Sequence, residues 1–231
     1  VYDLIGATAV IPVEGVIGRK FSSMLYDSGV TSIDVLDRMI RTAADDKEVE
    51  SILLMFDSPG GLVTGVPETA QTIRNARAQK PVMGYADGLV CSAAYWLASQ
   101  CDAIYATPSA QVGAIGCYLA LLDESRAFEM QGYKVELLRD GKYKGMGVPG
   151  TALDEAQRAW LQNSVNEIGN QFRVAVTTGR GTVQVPDHAM QGQTFGVHDA
   201  LAYGLVDSIT TAQEALLDLD ALQQIRAGRV K

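Results

Sequence analysis

Three local groups of residues in this sequence could do chemistry. The stretch LVCSAAYWLAS, residues 89–99, reads as a loop running into an apolar helix, with Ser92 at the joint. A serine there is most simply an N-cap, its oxygen taking a free N–H of the first turn. Two features point instead to a nucleophile: the small Ala93 and Ala94 leave room for a substrate backbone, and the Ala93 N–H would lie where an oxyanion develops. The second group is FDSPGG, residues 56–61, placed after an apolar strand and before a helical pattern. Gly60 and Gly61 permit backbone conformations closed to residues with a Cβ, and N–H groups left free at a helix start bind anions, including the oxyanion of acyl transfer. A tight strand-to-helix turn is the plainer reading. The third group is Lys142 and Lys144 in DGKYKG, on a glycine-rich loop. Loop lysines are mostly solvated, and one that acts as a base must be uncharged. That requires desolvation to lower its pKa from about 10.4 by roughly three units, about 4 kcal/mol. The two histidines, His188 and His198, both lie far downstream of Ser92.

These groups need a scaffold, and short β-branched runs alternating with helical patterns predict an α/β fold with a largely parallel sheet. Strands are expected at 7–13, 50–56, 81–86, 103–107, 113–119 and 133–138. A helix over 32–46 places Ile33, Leu36, Met39 and Ile40 on one face. Further helices are expected at 62–79, ending before Pro81, at 153–177, and in the acidic, amphipathic segment from Ala212, which either caps the domain or packs on a neighbour. Residues 140–152, with four glycines and a proline, are where disorder is expected.

A chain of 231 residues, 47% hydrophobic and 20% charged, is long enough to build one sizeable core. Its net charge of −8 with scattered Lys and Arg gives no footprint for nucleic acid or an anionic membrane, so protein or small-molecule partners are expected. Cys91, Cys101 and Cys117 have neither zinc nor redox spacing, which fits reduced thiols and a cytoplasm-like compartment. No apolar run approaches the roughly 20 residues that span a bilayer, and the first residues lack a basic region. The chain opens on Val1 instead of Met, so the true N-terminus is expected to be missing, and a removed membrane anchor is compatible with that.

DSPGG, CSAAYWLAS, ATPSAQVGAIG, LLRDGKYKG and QTFGVHDALAYGLVDSI occur in an order and at spacings that carry a resemblance. From about residue 7 to about 210 the chain resembles the signal peptide peptidase A family of serine proteases, which includes the prohead proteases of tailed phages. The resemblance implies a Clp protease/crotonase-like fold of repeated ββα units. Residues 1–210 would form the protease domain, and 211–231 a C-terminal helical segment, part of the same domain or an oligomer contact. It also implies a Ser/Lys dyad. By motif the nucleophile maps to Ser92 and the base to Lys144, with Lys142 a bystander and both histidines spectators. Gly60 or Gly61, together with Ala93, would form the oxyanion hole.

No cofactor and no metal are implied. The implied partners are protein or peptide substrates, unfolded or loosely held and added as a strand beside the serine, and further copies of the chain in a homo-oligomer. Leu89, Val90, Tyr95 and Trp96 could line shallow apolar pockets, although core packing is the plainer reading of Trp96. The SAAYWLAS wording, the compact length and the absent anchor favour phage prohead processing, in the host cytoplasm or prohead, over signal-peptide degradation. One departure stands out: Ala114, in VGAIG, replaces a serine that in many members orients the lysine. Ser109, Thr107 or a water takes that part, or activity is low. The alternatives are a non-catalytic assembly paralogue, which Ala114 motivates, and a crotonase-like acyl-CoA enzyme, for which Glu68 is the nearest acid/base carboxylate.

Overall fold

In Ser51–Gly61 the run Ile52, Leu53, Leu54 and Phe56 is fully buried, which is what a strand covered on both faces of a parallel sheet requires. This computed structural model describes residues 2–19 and 29–228. The chain forms two units, Val1–Gly116 with Phe172–Lys231, and Cys117–Gln171.

The first unit opens with β1 (Asp3–Ile5), β2 (Thr8–Gly18), β3 (Val30–Ser32), α1 (Ile33–Asp45), β4 (Ser51–Gly61), α2 (Val66–Gln79), β5 (Val82–Cys91), α3 (Ala93–Ala98), β6 (Ala103–Ala106) and β7 (Gln111–Gly113). Next come α4 (Ser125–Met130) and the long α5 (Glu155–Gly179), whose last turns return to this unit, followed by β8 (Thr194–Gly196), α6 (Val197–Ala202), β9 (Ser208–Ile209) and α7 (Ala212–Arg226). The sheet runs β1-β2-β4-β5-β6-β9, with β3 on β2 and β7 bridging β5 and β8. All pairings are parallel except β1 with β2 and β7 with β8.

The 3.6-residue pattern of α1 sets its buried face, Ile33, Leu36, Ile40, Ala43 and Ala44. On α7, Ala215 and Leu219 pack against Leu53, Met83 and Tyr85 of the sheet. A capping box between Thr211 and Glu214 starts that helix, and Arg226 at its end reaches the Asp102 carboxylate that Arg77 also binds. Among the described residues no helix is long and apolar enough to cross a membrane.

Arg180, only 3% exposed in its side chain, makes a two-pronged pair with Asp207, at 2.6 and 2.9 Å. Burial alone would pull the guanidinium pKa down, but the Asp207 carboxylate outweighs it and the net shift is upward. Asp207→Ala would leave that charge buried and unpaired, and should cost about 3 kcal/mol in urea unfolding. An unchanged unfolding midpoint would show that the pair is idle.

Several expected boundaries move. β4 does not stop at Phe56 but runs through Pro59 to Gly61, and the next helix begins only at Val66, after Gly65 at φ +94°. The strand expected at 113–119 is instead 111–113, because Gly113 and Ala114 both take positive φ, +128° and +51°, and break the extended run. Residues 133–138 form no strand among the described residues. The stretch 140–152 is a chain of turns, with bonds from the Lys144 N–H to the Gly141 carbonyl and from Thr151 to Val148.

Within the second unit, buried Gln157 donates from its side chain to the Lys142 carbonyl at 2.9 Å, and Tyr143 lies tilted against Trp160 with centroids 5.7 Å apart.

Candidate active site

β5 passes into α3 through a single residue, Ser92, at φ 54° and ψ −123°. Only Ser92 and Ala114 combine a side chain with positive φ among the described residues. Such a conformation costs of order 1–3 kcal/mol and persists only where the surroundings over-determine it. Here they do. The Ser92 N–H donates to the Gly113 carbonyl at 2.9 Å, and its own carbonyl accepts from the Trp96 N–H at 3.0 Å. Every residue of α3 is buried: the Tyr95 hydroxyl donates to the Leu205 carbonyl at 3.0 Å, and Trp96 stacks on Phe172 at 4.7 Å. The N-cap reading fails, since the Ser92 side chain makes no capping bond. A strained strand-to-helix joint that leaves a hydroxyl uncommitted is a device for presenting a nucleophile.

Gly60 packs directly on this joint. A Cβ built on it would lie 2.7 Å from the Cys91 carbonyl oxygen and the Ser92 Cβ, and 2.9 Å from the Ala93 nitrogen. Its own N–H is committed to the Ser58 hydroxyl at 3.1 Å. Gly61 is the register partner of Ile17, whose carbonyl accepts from the Leu62 N–H at 2.9 Å. A Cβ on Gly61 would lie 2.0 Å from that Ile17 carbonyl oxygen, so only glycine fits there. Gly60 and Gly61 therefore end a strand instead of opening the expected helix. The β4–β5 register shifts between Phe56 and Ser58, and Asp57 there accepts the Leu89 N–H at 2.9 Å. Across the gap, the Ala93 N–H belongs to the first turn of α3, whose N–H groups have no partner within the helix.

The expected apolar pocket shrinks. Val90, Tyr95 and Trp96 are core residues, and only Leu89, 37% exposed, is open to a ligand. Burial pushes the Cys91 thiol pKa up, so the neighbouring sulfur stays protonated and does not rival the serine. Ala114 donates its N–H to the Gln193 carbonyl at 2.6 Å. Ser109 lines an open cavity with Gln111, His198 and Asp199, and His188 meets the Tyr203 ring edge-on at 5.0 Å. Thr107 gives its N–H to the Ala86 carbonyl, and Glu68 is exposed on α2.

Lys142 and Lys144 are exposed residues of the second unit. The Lys144 carbonyl accepts from Arg139 at 3.3 Å, and the Lys142 amine lies 5.7 Å from the ring centroid of Tyr143. Sequence reasoning passed over Ser58 and Asp57. Both stand inside the DSPGG motif, where they read as ordinary turn formers.

Residues 74–226 match the family described as Peptidase family S49. The capsid assembly protease C of Escherichia phage lambda is 30% identical over 99% of this chain and 52% of its own length. The head-tail preconnector protein GP5 of Enterobacteria phage P21 is 29% identical over 94% of this chain and 43% of its own. A putative signal peptide peptidase SppA of Enterococcus faecium is 27% identical over 89% of this chain and 60% of its own. The chain thus spans about half the length of the two phage relatives. Among solved structures, the 1510-N membrane-bound stomatin-specific protease aligns with TM-score 0.52 at 16% identity, over 91% of this chain and 82% of that one. An enoyl-CoA hydratase/isomerase family protein from Silicibacter pomeroyi aligns with TM-score 0.54 at 16% identity, over 96% and 80%. At that identity the likeness is one of fold, and the fold is the expected crotonase-like one.

Proposed function

Because the chain belongs to peptidase family S49, we propose that it is a serine endopeptidase with Ser92 as nucleophile and Lys144 as general base. The observation that carries this reading is the strained Ser92 joint, with an uncapped hydroxyl and Gly60 pressed against it.

In the proposed reaction Lys144, exposed in the chain by itself, is shielded from water by bound substrate or a second copy of the chain, and its uncharged amine takes the Ser92 proton as Oγ bonds to the peptide carbonyl carbon. The N–H groups of Gly61 and Ala93 hold the oxyanion. Collapse breaks the C–N bond, and the Lys144 ammonium returns the proton to the leaving amine. Water, deprotonated by the same lysine, then releases the acyl group from Ser92. Gly61 is preferred to Gly60 as donor because the Gly60 N–H is already bonded to Ser58. The substrate would be an extended, loosely held protein segment beside Leu89 and the open end of β4. The two phage relatives favour head-protein processing as the setting, with a homo-oligomer in the host cytoplasm or prohead. The acyl-CoA alternative gains nothing from the second structural likeness, which concerns the fold alone.

A biotinylated fluorophosphonate tests the nucleophile. Tryptic mass spectrometry should find one adduct, on Ser92, forming faster as pH rises because only an uncharged lysine accepts the proton. An adduct on another serine, or none at alkaline pH, refutes the assignment.

A further inference from the structure

The Ser58 side chain is wholly buried, and both of its hydrogen-bonding roles are filled. Its hydroxyl donates to the Gly15 carbonyl at 2.6 Å and accepts the Gly60 N–H at 3.1 Å. A hydroxyl has one proton, so giving it to a carbonyl leaves the oxygen to accept, and the direction of both bonds is fixed.

Gly15 is placed to receive that proton by a break in the strand ladder. The β2–β4 register jumps from Glu14 opposite Asp57 to Val16 opposite Gly60, which leaves Gly15 unpaired between them. Gly15 has φ +60°, and a Cβ on it would lie 1.6 Å from the Gly29 carbonyl oxygen, so only glycine fits. Bulges of this kind re-aim backbone groups next to active sites.

We propose that Ser58 is a positioning residue for oxyanion binding. By holding the Gly60 N–H it keeps Gly60 at φ +97° against the Ser92 joint, and so assigns the oxyanion to the other glycine amide, that of Gly61. The inference rests on the Ser92 peptidase reading and deepens it. Without the hydroxyl, the Gly60 peptide is free to rotate, and the donor loses its aim although Ser92 and Lys144 are intact.

The test compares wild type with Ser58→Ala and Ser58→Cys. Active sites are counted by fluorophosphonate labelling taken to completion, and initial rates are measured on fluorescent casein against concentration and pH. For Ser58→Ala, kcat per titrated site should fall about tenfold to a hundredfold. KM should stay within about twofold, as for a group acting in the transition state, and the alkaline rise should keep its midpoint. A merely structural serine would lower the titratable fraction while each surviving site kept the wild-type kcat, and that result overturns the proposal. If Ser58→Ala fails to fold, Ser58→Cys decides, because it keeps the shape with a weaker acceptor. About a tenfold loss per site supports the role, and a wild-type kcat overturns it. Failure of the wild-type protein to label at Ser92 would instead remove the peptidase reading, and this inference with it.

Discussion

Ser92→Ala and Lys144→Ala should each lower the rate of casein cleavage by about 10⁴-fold or more, since members of a nucleophile–base pair act as a unit. The Ser92 variant is a clean control of fold. Alanine keeps the Cβ, so the backbone strain at φ 54° is unchanged, and the lost oxygen caps nothing. Lys144 is exposed, and truncating a surface side chain away from special features changes stability by no more than about 0.5 kcal/mol. Thermal midpoints should therefore match wild type while activity disappears. Lys142→Ala, on the same turn, should keep its rate within about twofold, which separates the two lysines. Cleavage at the wild-type rate by both Ser92→Ala and Lys144→Ala would end the dyad reading.

The elements that positioned Ser92 were legible where one local signal decided them. The apolar run Ile52–Phe56 could only be a buried strand, and the spacing of Ile33, Leu36 and Ile40 could only be one helix face. Sequence failed where distant backbone decided. Pro59, Gly60 and Gly61 have the composition of a turn, yet the pairing of Gly60 with Val16 and of Gly61 with Ile17 keeps them in β4. The β-prone residues after Gly113 do not extend the strand, because two successive positive φ values turn the chain at the Ser92 site. Leu89, Val90, Tyr95 and Trp96 looked alike as apolar neighbours of the serine, and only the alternation of β5 and the burial of all of α3 sort the open one from the core.

The candidate site divides in the same way. Residue types such as a serine before two alanines, or paired glycines after a proline, were visible as chemistry, but the choice between Gly60 and Gly61 was not. That choice depends on a Ser58 hydroxyl captured by a carbonyl 43 positions earlier in the chain, at a bulge no local pattern announces. Which glycine amide is already bonded is thus a product of sheet register, and glycine content alone could not have identified it.

Gly60→Ala is expected to lower kcat by about 10³-fold, because the added methyl acts on all parts of the proposed chemistry at once. Its three nearest neighbours would be the Cys91 carbonyl oxygen and the Ser92 Cβ at 2.7 Å and the Ala93 nitrogen at 2.9 Å. None of these is the end of a flexible side chain, so relief requires moving either the end of β4 or the joint between β5 and α3. Either movement separates Gly61 from Ala93, and a displacement near 1 Å at a reacting centre is worth about a hundredfold by itself. Alanine at φ +97° adds strain of about 1–3 kcal/mol, which the unfolding free energy should register. Gly6→Ala isolates that second effect: Gly6 also has positive φ, +60°, but a Cβ there meets nothing within 4 Å. It should lose comparable stability and keep full activity. If Gly60→Ala instead cleaves casein at the wild-type rate, the two amides need not be held across the Ser92 joint, and oxyanion binding must be sought elsewhere on the chain.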